Sequence, residues 1–296
     1  MKILCFDIGG TAIKIGIVDD NGNITENREI PTDATAGGEA LISKILDEIS
    51  KYTGIDRIGI STAGQVDFQS GRVIFASENL PGWTGMKIKK IVEDKYSILT
   101  AVENDVNAAA IGEAYYGLDE RTLNFLCLTY GTGIGGAIVE NGKIYHGATA
   151  SAGEFGHMIT HAGGFKCSCG GRGCYEAYAS TSALVRSVKA FTNICDDIGG
   201  KYIFKRVLEG NEEYKHIVDR WIVEVCMGLV SIIHIFNPTL IILGGGIMQQ
   251  EYILDRLRVK VREYVMPSFS KVEIKAASLG NTAGLLGVSV LAKELE

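Results

Sequence analysis

Proline is scarce in this chain, at 4 residues in 296, although glycine is abundant at 37. Glycine without matching proline excludes a collagen-type repeat, and 46% hydrophobic with 22% charged residues excludes intrinsic disorder. No apolar run approaches the roughly 18 residues that span a bilayer. Long runs of Lys and Arg are missing too, and 29 basic against 35 acidic residues leave a net charge of −6. Such a chain is a poor electrostatic binder of nucleic acid or of an anionic membrane surface. Two nucleotide-binding signatures are absent: Gly-x-x-x-x-Gly-Lys-Ser/Thr, and Gly-x-Gly-x-x-Gly opening a helix. A secretory signal is not evident, because residues 1–7 read straight into a strand whose apolar run is broken by Asp7. A cytoplasmic location, with reduced thiols, is therefore expected.

What is present is a long α/β pattern. At 296 residues the chain has the length of two domains, or of one large unit divided by a cleft, and should bury roughly three quarters of its unfolded surface. Strands are expected at 2–8 and 12–19 around the tight turn Gly9-Gly10-Thr11, and near 24–31 after the turn Asp20-Asn21-Gly22. An apolar stripe at 41, 42, 45, 46 and 49 predicts a helix over 38–52. A strand at 56–62, a short helix at 86–95, a strand at 98–103 and an Ala-rich helix at 106–116 follow. The pattern then restarts at 123–130 with a strand, Gly131-Thr132-Gly133, and a second strand to Val139 before the hairpin turn Asn141-Gly142. A shift of 121 residues aligns Gly10-Thr11-x-Ile13-x-x-x-Ile17-Val18 with Gly131-Thr132-x-Ile134-x-x-x-Ile138-Val139, five identities in nine. This echo suggests a duplicated domain with the border at 117–121. Helices are expected at 181–193, 201–209, 213–236, 250–264 and 282–294, with strands at 239–243 and 272–276.

Three glycine turns follow strands, at 9–11, 131–136 and 244–246. Such turns let backbone N–H groups approach a phosphate, although a hairpin alone would also explain a Gly pair. Asp7, a carboxylate ending an apolar strand, suits an outer-sphere ligand of Mg²⁺, which keeps most of its waters. Lys14 reads equally as a phosphate partner or a solvated strand residue. Asn104-Asp105 stands where a strand meets a helix and could be an N-cap or a site. Of seven cysteines, those at 5, 127, 195 and 226 are scattered singly in apolar segments, while 167, 169 and 174 crowd together as metal ligands do. His234, inside an apolar helix, reads as a satisfied structural histidine.

Asp7-Ile8-Gly9-Gly10-Thr11-x-x-Lys14 with Gly131-Thr132-Gly133-x-Gly135-Gly136 resembles the actin/hexokinase/heat-shock ATPase superfamily. Within it the chain is similar to the ROK family of repressors, open reading frames and sugar kinases. The resemblance extends through Asn79-Leu80-Pro81-Gly82-Trp83, Glu103-Asn104-Asp105-Val106-Asn107-Ala108, Gly153-Glu154-Phe155-Gly156-His157, Cys167-x-Cys169-Gly170-Gly171-Arg172-Gly173-Cys174-Tyr175-Glu176 and Leu279-Gly280-Asn281-Thr282-Ala283-Gly284-Leu285.

The resemblance implies a two-lobed, actin-like ATPase (ribonuclease H-like) α/β fold, a duplicated domain with an interlobe cleft. The small lobe would comprise 1–118 plus 281–296, and the large lobe 119–280 with a zinc loop at 157–174. It implies ATP-dependent phosphorylation of the 6-hydroxyl of a hexose, glucose or a β-glucoside, with Asp105 as general base and lobe closure excluding water. Sugar contacts would come from Asn79, Asn104, Glu154, His157 and Glu176. ATP and Mg²⁺ would lie against Asp7, Gly9, Gly10, Thr11, Lys14, Gly131, Thr132, Gly133, Gly135, Gly244 and Gly245. His157, Cys167, Cys169 and Cys174 form a Cys₃His set suited to structural Zn²⁺, which would orient His157 and so Glu154. Homodimers are implied, with no nucleic-acid or membrane partner. An N-acetylmannosamine kinase is the alternative. A sugar-sensing regulator of the same family is more remote, since the first strand begins at Lys2 and no reader helix precedes it. An actin-type ATPase or chaperone would lack the Glu154/His157 set.

Overall fold

The computed structural model describes residues 1–118, 122–192, 196 and 198–296. Cys195, residues 119–121 of the expected border and the last residue of the expected helix 181–193 lie outside the described residues. The chain forms two compact units.

The first unit comprises Met1–Leu123, Ile138–Ala152 and Asn281–Glu296. Its strands are β1 (Ile3–Ile8), β2 (Ala12–Val18), β3 (Ile24–Pro31), β4 (Arg57–Thr62), the short hairpin β5 (Gln65–Asp67) and β6 (Arg72–Phe75), and β7 (Thr100–Asn104). The main sheet runs β3-β2-β1-β4-β7, with β1, β2 and β3 antiparallel and β1, β4 and β7 parallel. Central β1 and β4 are buried over nearly their whole length because both faces are covered, with the polar Asp7, Ser61 and Thr62 near their C-terminal ends, whereas edge strand β3 alternates half-buried and exposed residues. Helices α1 (Gly38–Ile49) and α2 (Ile88–Tyr96) enclose a core of Leu4, Phe6, Ile8, Ile45, Ile58, Ile60 and Trp83. The Trp83 indole donates to Thr62 Oγ1 at 2.9 Å, so this large ring is buried without an orphaned N–H. Helix α3 (Asp105–Gly112) continues as a π-turn over Glu113–Gly117. It lies against the last helix of the chain, which is apolar all round because it is enclosed by α3 on one side and the sheet on the other.

The second unit comprises Asn124–Ala137 and Gly153–Gly280. Residues 138–152, expected with the large lobe, belong instead to the first unit, where His146 bonds Glu103 and Ser151 bonds Gln65. The second sheet runs β10-β9-β8-β11-β12, the order of the first sheet repeated. Its strands are β8 (Phe125–Tyr130), β9 (Ile134–Glu140), β10 (Lys143–Ile144), β11 (Leu240–Gly244) and β12 (Glu273–Ala276), of which β9 from residue 138 and all of β10 are counted with the first unit. The repeated order bears out the duplication. The β9–β10 turn has positive φ at both Asn141 and Gly142, the backbone that an Asn-Gly hairpin requires.

The helices of this unit are α4 (Glu176–Ala179), α5 (Thr181–Thr192), α6 (Gly200–Leu208), α7 (Glu212–Phe236) and α8 (Glu251–Tyr264); α9 (Ala283–Lys293) is the enclosed helix of the first unit. Asn211 caps α7 by accepting from the amides of Glu213 and Tyr214. His234 is half-buried, accepts from the Met266 amide at 3.1 Å and meets Phe269 edge to face, as a satisfied structural histidine should. Among the described residues, no helix is long and apolar enough to cross a membrane.

Candidate active site

Asp7 is the only acidic residue of buried strand β1, and the sheet register explains how it is held. Across the antiparallel pair it faces Lys14, whose Nζ lies 2.9 Å from Oδ2; across the parallel pair it faces Ser61, whose hydroxyl donates to Oδ1 at 2.7 Å. Lys14 is thus half-buried and paired. The N-terminus of α9 comes close as well: a Cβ at Gly284 would stand 2.9 Å from the Asp7 carboxyl carbon. Only glycine leaves the carboxylate this space. The turn Gly9-Gly10-Thr11 is closed by the Gly9 amide on the Ala12 carbonyl and braced by Thr32, whose hydroxyl donates to the Gly9 carbonyl at 2.7 Å. Asn79 lies beside Gly10.

At the junction of β7 and α3 the N-cap of the helix is Asn104 and its first residue is Asp105. Asn104 accepts through Oδ1 from the amides of Val106 (2.9 Å) and Asn107 (3.0 Å). Its Nδ2 donates to the Gly64 carbonyl and to Asp105 Oδ1, both at 2.9 Å. All four hydrogen-bonding positions of this amide are filled within the protein. Asp105, the first residue of the helix, also accepts from the Val106 amide at 3.0 Å. Burial, aided by the negative charge of Asp7, pushes its carboxyl up to about 7, although bonds to Val106 and Asn104 favour the ionised form. A carboxyl held near neutrality is suited to taking a proton from an alcohol. Glu103, just before the cap, is almost wholly buried, at 1% exposure.

In the second unit the turn after β8 approaches the turn after β11. Gly245 has φ +98°, and a Cβ there would lie 2.2 Å from the Tyr130 carbonyl oxygen, so both conformation and space require glycine. The Gly131 amide bonds the Gly133 carbonyl, and the Gly131 carbonyl accepts from the Thr181 amide at the start of α5. Beside these turns opens a pocket of about 620 Å³, in the range of small-molecule sites. Its lining includes Gly131, Thr132 and Gly246 from the turns, the cations Arg186, Lys189 and Lys201, and apolar side chains such as Phe204.

His157, Cys167, Cys169 and Cys174 each offer a ligand atom, all within 4.8 Å of one another. Cys167 Sγ is 3.5 Å from His157 Nδ1, and the sulfurs of Cys169 and Cys174 are 3.6 Å apart. Ligands bound tetrahedrally at zinc distances stand about 3.5–3.8 Å from each other, so this donor set fits Zn²⁺. The other nitrogen of His157, Nε2, is 3.8 Å from Glu154 Oε2. Glu176 Oε1 accepts from the Ser168 hydroxyl (2.9 Å) and the Cys167 thiol (3.1 Å), tying the head of α4 to the same loop. The loop is clamped from outside by stacked rings, His161 on Tyr178 and Tyr178 on Phe165.

The structure therefore gathers Asp7, Gly9, Gly10, Thr11, Lys14, Asn79, Asn104 and Asp105 in the first unit. In the second it gathers Gly131, Thr132, Gly133, Gly135, Gly244 and Gly245 around the two turns, with Glu154, His157, Glu176 and the cysteines at the loop. Sequence reasoning passed over Ser61 and Thr32, which hold Asp7 and the first turn. It also passed over Arg186, Lys189 and Lys201 in the pocket wall, which on amphipathic helices read as ordinary solvated cations.

A profile of the ROK family matches residues 3–295. The chain is 32% identical over 311 residues to a glucokinase of Thermotoga maritima, covering 99% of this chain and 98% of the relative. It is likewise 32% identical over 295 residues to a β-glucoside kinase of Listeria monocytogenes, covering 97% and 96%. The crystal structure of a ROK family glucokinase from Streptomyces griseus, in complex with glucose and AMPPNP, superposes with a TM-score of 0.88 at 31% identity and full coverage of both chains. These relations, together with the two repeated sheets and the Cys₃His loop, establish that the chain belongs to the ROK family.

Proposed function

We propose that this chain, an ATP-dependent sugar kinase, transfers the terminal phosphoryl group of ATP to the 6-hydroxyl of glucose or a β-glucoside. Asp105 is the general base. The observation that carries this reading is the Asp105 carboxyl itself, fixed at the head of α3 and raised to about 7 beside Asp7. Phosphoryl transfer needs alignment, charge compensation and one carboxylate to orient the attacking hydroxyl.

Asp105 accepts the hydroxyl proton, and its neighbour Asn104 turns one N–H from Asp105 to the sugar as the carboxylate engages the substrate. Asn79, Glu154, His157 and Glu176 read the remaining hydroxyls, since hexose recognition proceeds one hydroxyl at a time. The nucleotide occupies the pocket beside the turns at 131–133 and 244–246, with Lys189 and Lys201 compensating phosphate charge. Asp7, braced by Ser61 and Lys14, would hold waters of Mg²⁺, which when bound offsets charge on the β- and γ-phosphates. His157, Cys167, Cys169 and Cys174 would hold Zn²⁺, which fixes the loop that carries His157 beside Glu154.

The support for glucose or a β-glucoside is the pair of relatives named for those activities. A coupled assay with ATP over glucose, cellobiose, mannose, fructose, N-acetylglucosamine and N-acetylmannosamine tests it. Glucose turned over with cellobiose refused supports a glucokinase, and cellobiose at least equal to glucose supports a β-glucoside kinase. Good turnover of N-acetylmannosamine with poor activity on both overturns the substrate assignment. Homodimer formation, implied by the resemblance, is tested by sedimentation.

A further inference from the structure

We infer that Glu103 and His146 are positioning residues for Asp105, a role that rests on the kinase reading above. Glu103, next to last in β7, is buried, and a charged side chain is taken out of water only where partners hold it. What the carboxylate supplies is direction. Its Oε1 accepts from the Asn104 amide at 2.8 Å and from Asn107 Nδ2 at 3.0 Å, gripping the first turn of α3 at two points. Its Oε2 meets His146 Nε2 at 2.8 Å. The His146 ring is in turn stacked on Phe68, with centroids 3.8 Å apart and planes 11° from parallel. Asn104, held by Glu103 through its backbone, is the residue whose side chain caps α3 and bonds Asp105 Oδ1.

The chain of contact thus runs from Phe68 through His146 and Glu103 to Asn104 and Asp105, all within the first unit. Neither Glu103 nor His146 bonds the Asp105 carboxylate in this network. They act by fixing the turn that presents it, and small misplacements of a reacting group cost large factors in rate.

Two substitutions separate this role from mere stability. His146→Phe keeps a ring on Phe68 but removes the nitrogen facing Glu103. Its kcat should fall by about tenfold to a hundredfold, while sugar Kd moves by less than about threefold. Amide exchange at Val106 and Asn107 should quicken by about tenfold, reporting a loosened turn. His146→Gln, which restores an N–H donor without the ring, should recover most of the lost kcat and the slow exchange. A merely structural role would lower Tm in both variants and leave kcat per folded molecule unchanged. Should His146→Phe fail to fold, Glu103→Gln takes its place, keeping volume while weakening the pairing with His146; about tenfold loss of kcat is expected, and wild-type kcat overturns the proposal. A wild-type chain that phosphorylates no hexose refutes the kinase reading and this inference with it. An active wild type with an unimpaired His146→Phe refutes the positioning role alone.

Discussion

If Asp105 is the base, the pH dependence of kcat/KM carries its signature, because that parameter reports ionisations of the enzyme before substrate binds. With the carboxyl at about 7, about nine tenths of Asp105 is ionised at pH 8, half at pH 7 and about a tenth at pH 6. The rate constant for sugar should therefore fall about thirtyfold between pH 8 and pH 5.5, with a slope approaching one below about pH 6. An ordinary aspartate would leave the profile flat over that range. The assay is initial rate at saturating ATP and limiting sugar, buffered at constant ionic strength. An acid limb lying below pH 5 would refute the argument from burial and Asp7.

Asp105→Asn completes this test. The carboxamide is nearly isosteric, so sugar KM should move little while kcat falls by about 10² to 10⁴. Retention of more than about a tenth of wild-type kcat would remove Asp105 from the base role. Stability should move the other way. A carboxyl raised in the folded state binds its proton more tightly there, so its stabilising contribution is fullest below its unfolded value and is lost as pH rises through about 7. The Asn variant should therefore melt above wild type at pH 8, with the gap shrinking toward pH 5. A variant destabilised at pH 8 would contradict the burial that raises Asp105.

Metal analysis should find one zinc per chain, and Cys169→Ala should lose it together with loop order and sugar affinity, since structural zinc supplies apparent binding energy of roughly 10 kcal/mol or more; an active, zinc-free protein would refute both. Gly245→Ala forces a side chain into positive φ against the Tyr130 carbonyl, and should cost about 1–3 kcal/mol in chemical denaturation while weakening nucleotide binding, where unchanged values would refute the close approach. Deoxygenation of the hexose at C3 or C4 should cut kcat/KM at least about tenfold, because a carboxylate or amide left without its hydroxyl is an unpaired buried group.

The elements and the metal loop were legible for chemical reasons. The buried first part of β1, Ile3-Leu4-Cys5-Phe6, is an unbroken apolar run, and Cys167, Cys169 and Cys174 with His157 are residue types that share few purposes at that spacing. Asn104-Asp105 was legible as a pair but not as a division of labour, since only the hydrogen bonds separate the residue that caps from the one whose charge is perturbed. Glu103 and His146 are 43 residues apart, and their juxtaposition depends on 138–152 joining the first unit. Local periodicity carries no signal for such a pairing. The hairpin β5–β6 was passed over because strands of three and four residues are too short to show alternation.

Lys14 connects two arguments that the sequence left apart. Its ammonium lies 2.9 Å from Asp7, and Asp7 is the charge that, after burial, raises Asp105. Removing the cation leaves Asp7 less compensated, so ionisation of Asp105 beside it becomes harder. Lys14→Met should therefore move the acid limb of kcat/KM for sugar upward, by on the order of half a unit. A phosphate-binding lysine predicts a different result: KM for ATP rises and the acid limb stays where it was. Both effects together would assign Lys14 to both tasks, as its position at the end of the Asp7 pair allows. An acid limb that moved down would refute the electrostatic link, because a lost positive charge cannot ease the ionisation of a neighbouring carboxyl.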